Sequence, residues 1–90
     1  MMVNNVLYAR SFLKEAKKLP ADILNVFEKK EKIFRLNPLH PSLRLHKLHG
    51  ELDFLWSISL NKNYRAIFKR QKNGDILFVS IGKHDIYDAL

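Results

Sequence analysis

The sequence predicts an α+β domain: a two-helix hairpin packed on one face of a twisted antiparallel sheet. Three observations predict it. Apolar residues recur at helical spacing as far as Asn37-Pro38. From Leu43 onward they alternate with a period of two. Between these regions and within them, Pro20, Asn37-Pro38 and Asn73-Gly74 punctuate the chain where elements must end.

Val3–Leu7 is short and apolar and precedes a helix signal, so it is a candidate first strand. Ser11 is a candidate cap for a helix carrying Phe12, Leu13, Ala16 and Leu19 on one stripe, with Lys14, Lys17 and Lys18 opposite. Pro20 ends that helix. A second starts at Ala21 or Asp22 and places Ile23, Val26, Phe27, Ile33, Phe34 and Leu36 at helical spacing. Its wet face is Glu28, Lys29, Glu31, Lys32 and Arg35, and Asn37-Pro38 stops it.

Leu43–Leu48 is a candidate edge strand. In the next segment Phe54, Trp56, Ile58 and Leu60 alternate with Leu55, Ser57 and Ser59. Asn61-Lys62-Asn63 forms a turn. Tyr64, Ala66 and Phe68 then alternate with Arg65, Ile67 and Lys69. Asn73-Gly74 is a hairpin signal, because both residues tolerate positive φ. Asp75–Ile81 is apolar on both faces, as a central strand should be. The helices are expected to cover Trp56, Ile58, Tyr64, Ala66 and Phe68. The face with Ser57, Ser59, Arg65, Ile67 and Lys69 has no element left to cover it, and is expected to be an open binding surface.

Ninety residues suffice for one domain, taken as 1–90. Roughly 60–70% of the unfolded surface can be buried at this size, which allows one modest core. The chain has no cysteine, which removes thiolate nucleophiles and cysteine zinc sites and favours a reducing compartment. No apolar run is long enough for a membrane span, and the N-terminus lacks the pattern of a signal peptide. A cytoplasmic location is expected, with no membrane partner. The formal charge of +7 attracts polyanions: nucleic acid, an acidic protein or an anionic surface.

All four histidines, His40, His46, His49 and His84, lie in the second half. His46 and His49 are three apart, so on one strand they point to opposite sides, and no metal site is expected. No cofactor is expected either, since phosphate-binding glycine loops and the nucleophile elbow are absent. Lys47 and His49 share a strand face by parity, as do Arg65 and Lys69. Lys83, His84 and Tyr87 follow the last strand. Metal-free RNA cleavage needs a base for the 2′-hydroxyl, an acid for the leaving oxygen and cations for the phosphorane. Histidine suits the first two roles, arginine and lysine the third, and an aromatic ring stacks a splayed base. Each residue also has an ordinary explanation. Lys47 and Lys83 can be solvated, Arg65 can pair with a carboxylate, His84 can cap the last strand and Tyr87 can pack the C-terminus.

The ordered stretches LHKLHG at 45–50, WSISLNKNYRAIF at 56–68 and ILFVSIGKHDIY at 76–87 resemble the RelE/ParE superfamily of type II toxin–antitoxin toxins. FLKEAKKLP at 12–20 and the helix end at Asn37-Pro38 match the same layout, so the resemblance spans nearly the whole chain. It implies the fold derived above. For the RelE-like branch it implies a metal-independent endoribonuclease that cuts mRNA in the ribosomal A site and so inhibits translation. Lys47 falls on the basic residue of the Lys-Leu-x-Gly stretch and His49 on the second basic position. Arg65 is the arginine of the Tyr-Arg pair and would hold phosphate. His84 follows Gly-Lys, and Tyr87 matches the C-terminal aromatic. His49 and His84 stand where the type member has arginine or lysine, a pattern closer to the histidine-using YafQ-like branch. On this resemblance the catalytic set is His84, Arg65, Lys47 and Tyr87, with His84 as general acid or base. His49, Lys83 and Lys69 would bind RNA. The implied partners are a cognate antitoxin and mRNA. The alternatives are a ParE-like DNA gyrase inhibitor and an inactive relative that binds only its antitoxin.

Overall fold

The elements run β1 (Val6–Tyr8), α1 (Arg10–Ala16), α2 (Ala21–Leu36), β2 (His46–Lys47), β3 (Leu55–Ser59), β4 (Tyr64–Arg70) and β5 (Ile76–Lys83). Short 3-10 turns occupy Pro41–Leu43, Gly50–Leu52 and His84–Ala89. This computed structural model describes the backbone of residues 1–90 and all side chains except those of His84, Asp88 and Ala89.

The strands form one sheet in the order β1-β5-β4-β3-β2. Strands β2 to β5 are antiparallel neighbours, as the alternation predicts. β1 instead joins β5 in parallel, pairing Val6 with Ile76 and Tyr8 with Phe78. A parallel neighbour needs a long crossover, here the helices and everything after them up to the last hairpin. The sheet is therefore mixed at one edge. Each outer strand is short, three residues in β1 and two in β2.

Helix α1 starts one residue before Ser11, and its cap position is Ala9, without a side-chain cap. The Ser11 hydroxyl instead donates to the Val79 carbonyl at 2.6 Å. Ala9 N–H donates to Phe78 O at 2.8 Å, so the chain leaves β1 and turns directly into α1 beside β5. Ser80 Oγ donates to Glu15 Oε1 at 2.9 Å, a second tie between α1 and β5.

The helix-side core follows the predicted parity. Phe12 of α1 and Ile23, Phe27 and Phe34 of α2 are buried against Ile58, Ala66, Phe68, Phe78 and Ile81. Aromatic rings carry much of this contact. Phe34 and Phe68 lie 5.0 Å apart between centroids, and Phe27 meets Phe78 edge-on at 5.2 Å and 88°. Tyr8 stacks on Phe78 at the rim and donates its hydroxyl hydrogen bond to Glu31. Burial and that carboxylate together push the Tyr8 pKa from its usual 10.0 to about 12.

β5 carries a bulge. Phe68 pairs with Phe78 but Ile67 pairs with Ser80, leaving Val79 as the extra residue. Phe78 and Ile81, three apart, consequently both reach the helix-side core. Part of the two-faced apolar pattern of this strand is this bulge.

Candidate active site

The face opposite the helices is not open. Ser57 and Ile67 are fully buried on it. A second, smaller core closes it, built from Leu48, Leu55, Ile67 and Ile86, with Leu52, Val79 and Tyr87 against them. Two short turns supply the cover: Gly50–Leu52 and His84–Ala89. A 3-10 turn is too short to show a hydrophobic period, so a sequence pattern cannot distinguish it from a loose tail.

Gly82 makes the C-terminal cover fit. It pairs with Arg65 on the sheet, and a Cβ at its position would fall inside the contact distance of Ile86 Cγ2. The absence of a side chain lets the last turn fold flat over β5. That turn brings the Tyr87 hydroxyl to 3.1 Å from Ser57 Oγ.

Beside Tyr87 lies a cavity of about 200 Å³ lined by His46, Leu48, His49, Leu52 and Tyr87. Pockets for whole ligands run to about 300–1,000 Å³, so this one is sized for a single group or ring. Its floor is apolar and its polar groups are two imidazoles and a phenol. The expectation that His46 and His49 point apart does not hold. β2 ends at Lys47, and His49 stands at the start of the Gly50–Leu52 turn without a side-chain cap, so strand parity no longer governs it. The parity argument placing Lys47 with His49 fails for the same reason.

Register sorts the remaining candidates. His46 pairs with Ser57, which places it on the Tyr87 side. Lys47 pairs with Trp56, on the helix side at the far edge. Arg65 pairs with Ser59 and Gly82, on the Tyr87 side of β4. Lys69 is on that same face but exposed, four residues or roughly 13 Å further along the strand. Lys83 pairs with Tyr64 on the helix side, its ammonium 6.0 Å from that ring. The side chain of His84 lies outside the described residues. The structure thus gathers Tyr87, His49 and His46 at one cavity, with Arg65 on the same sheet face, and sets Lys47 and Lys83 on the other.

His46 is the residue that sequence reasoning passed over, named there only to dismiss a metal. Its signal is the partner across the ladder: two strands placed one residue apart in register change which of His46 and Lys47 shares the face of Ser57. His40 has a structural role, since its Nδ1 accepts from Ser42 N–H at 3.1 Å and caps the Pro41–Leu43 turn. Among the described residues no group of three or more metal-ligating side chains converges. No helix among them is long and apolar enough to cross a membrane.

A Tyr hydroxyl and imidazoles around a small cavity with an apolar floor can move protons, and a guanidinium on the same face can hold an anion. Comparisons with known proteins bear on the family and the fold. Residues 9–84 match the family model described as the RelE-like toxin of the type II toxin–antitoxin system HigB. No curated protein sequence matches the chain. Among solved structures, YafQ from E. coli BL21(DE3) superposes with a TM-score of 0.77 at 16% identity, covering 93% of this chain and 97% of that one. The RelBE2 toxin–antitoxin complex of Mycobacterium tuberculosis gives 0.71 at 20% identity, with 89% and 96% covered. The archaeal RelE–RelB complex of Pyrococcus horikoshii OT3 gives 0.70 at 21% identity, with 91% and 96% covered.

Proposed function

Because this chain belongs to the HigB-like family of RelE-like toxins of type II toxin–antitoxin systems, we propose that it is a metal-independent, ribosome-dependent mRNA endoribonuclease. The observation that supports this reading is the cavity at which His46, His49 and Tyr87 meet, with Arg65 on the same sheet face.

The chemistry is transfer within the RNA chain. A base takes the proton of a 2′-hydroxyl, whose oxygen forms a bond to the adjacent phosphorus. The bond from phosphorus to the 5′-oxygen breaks as an acid protonates that oxygen. The products are a 2′,3′-cyclic phosphate and a 5′-hydroxyl. The imidazoles of His46 and His49 are the groups at the cavity suited to base and acid work, and His84 is a further candidate acid or base from the family resemblance. Arg65 matches the charge developing on the phosphorane. The Tyr87 ring offers a stacking surface, and its Ser57 hydrogen bond sets its orientation. A cognate antitoxin is the expected protein partner, supported by the positive charge of the chain and by neighbours solved as toxin–antitoxin complexes.

The test is a translation reaction with purified components, followed by primer extension on the message. The wild-type chain is expected to give codon-phased cuts only when the message is translated. His46→Ala, His84→Ala and Arg65→Ala are each expected to slow cutting by about 10²–10⁴-fold with the fold retained, the usual scale of general acid–base loss. Wild-type rates in His46→Ala and Arg65→Ala would remove this site from the reaction. Inhibition of gyrase supercoiling without RNA cuts would replace the nuclease reading altogether.

A further inference from the structure

A second cleft, of about 490 Å³, opens at the β3–β4 end of the sheet, between α2, the Pro41–Leu43 turn and the Asn61–Asn63 turn. Lys30, Arg44 and Lys62 line it together with Arg65, and no described carboxylate does. Like charges at such a cleft repel one another, so their placement is relieved by an anion. We propose that this cleft binds a backbone phosphate of RNA beyond the cutting point. The inference rests on the nuclease reading for its substrate, and adds a second contact on that substrate.

Three features build the site. Lys30 Nζ donates to the Ser42 carbonyl at 3.3 Å, which fixes the ammonium of α2 against the turn. Arg44 has φ 45°, the one described non-glycine residue with a left-handed backbone, at the end of that turn. Such a conformation costs on the order of 1 kcal/mol and persists only where its surroundings hold it. Here it sets the guanidinium on the cleft wall. Asn61 Oδ1 accepts from the N–H groups of Asn63 and Tyr64 at 2.8 and 2.9 Å, which shapes the loop that presents Lys62.

Position favours RNA over an acidic protein segment. Ser59 lines this cleft while Ser57, two residues away on β3, touches Tyr87. Two residues of strand span about 6.6 Å, so one nucleic-acid strand can reach both places. A protein segment held tightly needs apolar anchor pockets. Among the described residues, the only large apolar one lining the cleft is Leu60, which is itself buried. Hydroxyls, an amide and cations line the rest, a set suited to phosphate oxygens.

The experiment uses the full chain and a short single-stranded RNA with 2′-deoxy substitution, which cannot be cut. Its affinity is measured by fluorescence anisotropy over a range of salt. A Lys30→Gln/Lys62→Gln variant is expected to bind on the order of tenfold more weakly at low salt, with the salt slope reduced by about 0.7 for each phosphate no longer neutralised. The same variant is titrated against vacant ribosomes. A loss with the oligonucleotide is the expected result, and a loss only with ribosomes would overturn the proposal by assigning the phosphate to ribosomal RNA. A Lys17→Gln/Lys72→Gln variant, which removes two exposed charges outside the cleft, serves as the reference, expected to bind RNA as wild type does. Unchanged affinity and slope against both RNAs would overturn the proposal. So would a loss confined to an acidic peptide. A wild-type chain that binds RNA through this cleft yet never cuts it would refute the nuclease reading alone.

Discussion

Replacing Gly82 with alanine tests how the second core is held. The added methyl would collide with Ile86 Cγ2, while Ile86 Cβ is 3.9 Å away and nothing else described lies within 4 Å. Ile86 is β-branched and stiff at χ1, so its methyl cannot swing aside cheaply. Either the turn shifts, at the ~1–3 kcal/mol typical of overpacking, or Ile86 leaves its site and loses burial worth about 1.5–3 kcal/mol. Alanine in a strand recovers ~0.5–1 kcal/mol of backbone entropy relative to glycine. The net expectation is a destabilisation of about 1–2 kcal/mol, which in a chain of this length lowers Tm by about 5–15 °C. Thermal and urea unfolding followed by circular dichroism would measure it. The decisive comparison is a double-mutant cycle with Ile86→Ala. With the obstructing methyl gone, Gly82→Ala should become neutral or slightly stabilising, giving a coupling above ~1 kcal/mol. Independent sites add to within about 0.3–0.5 kcal/mol. Additivity at that level would show that Gly82 does not accommodate Ile86, and the C-terminal cover would have to be held in some other way.

Tyr8 should keep its proton to about pH 12, because burial and Glu31 both oppose the phenolate. Its folded pKa lies above the unfolded value of 10.0, so its contribution to stability is intact below pH 10 and declines as pH rises towards 12. Phenolate absorbance in the near ultraviolet reports the titration, and Glu31→Gln should move it down; no movement would leave burial as the whole cause. Phe34→Ala removes a fully buried ring packed on Phe68 and Phe78, and should cost about 3–5 kcal/mol in denaturant unfolding. Tyr87→Phe should cost only ~0.5–1.5 kcal/mol through loss of the Ser57 bond. A larger drop would mean that the hydroxyl, not the ring, holds the turn.

The sequence shows most of this fold because its signals are local. Helix stripes around Phe12, Phe27 and Phe34, the stop at Asn37-Pro38 and the Asn73-Gly74 hairpin all depend on near neighbours and are where the spacing places them, although α1 already ends at Ala16, before Pro20, and Leu13 and Leu36 of the expected stripes are exposed. The parallel seat of β1 depends on a contact between residues 6 and 76, which no local pattern carries. The cover of the second face escaped for a related reason. Ile86 and Tyr87 fall in a tail-like run, and only the missing side chain at Gly82, seen against its neighbour in space, reveals that the tail folds back. The candidate site was legible by residue type but not by arrangement. Arg65 and Tyr87 are on the sheet face to which the pattern points. His46 replaces Lys47 there because the register of a two-residue strand is set by its partner, not by its own sequence.

The way α1 meets β5 has a consequence for how these molecules crowd together in a cell. β1 covers β5 only from Ile76 to Phe78, and beyond it a helix stands where a strand could have been. The Ser11 hydroxyl occupies the Val79 carbonyl, an acceptor that would otherwise recruit a foreign strand. The rims left at either end of the sheet are three and two residues long, too short to template a stable ladder between copies. Short rims of this kind oppose sideways growth of the sheet, which matters most for β5, whose apolar run at 76–81 has the composition of an aggregating segment.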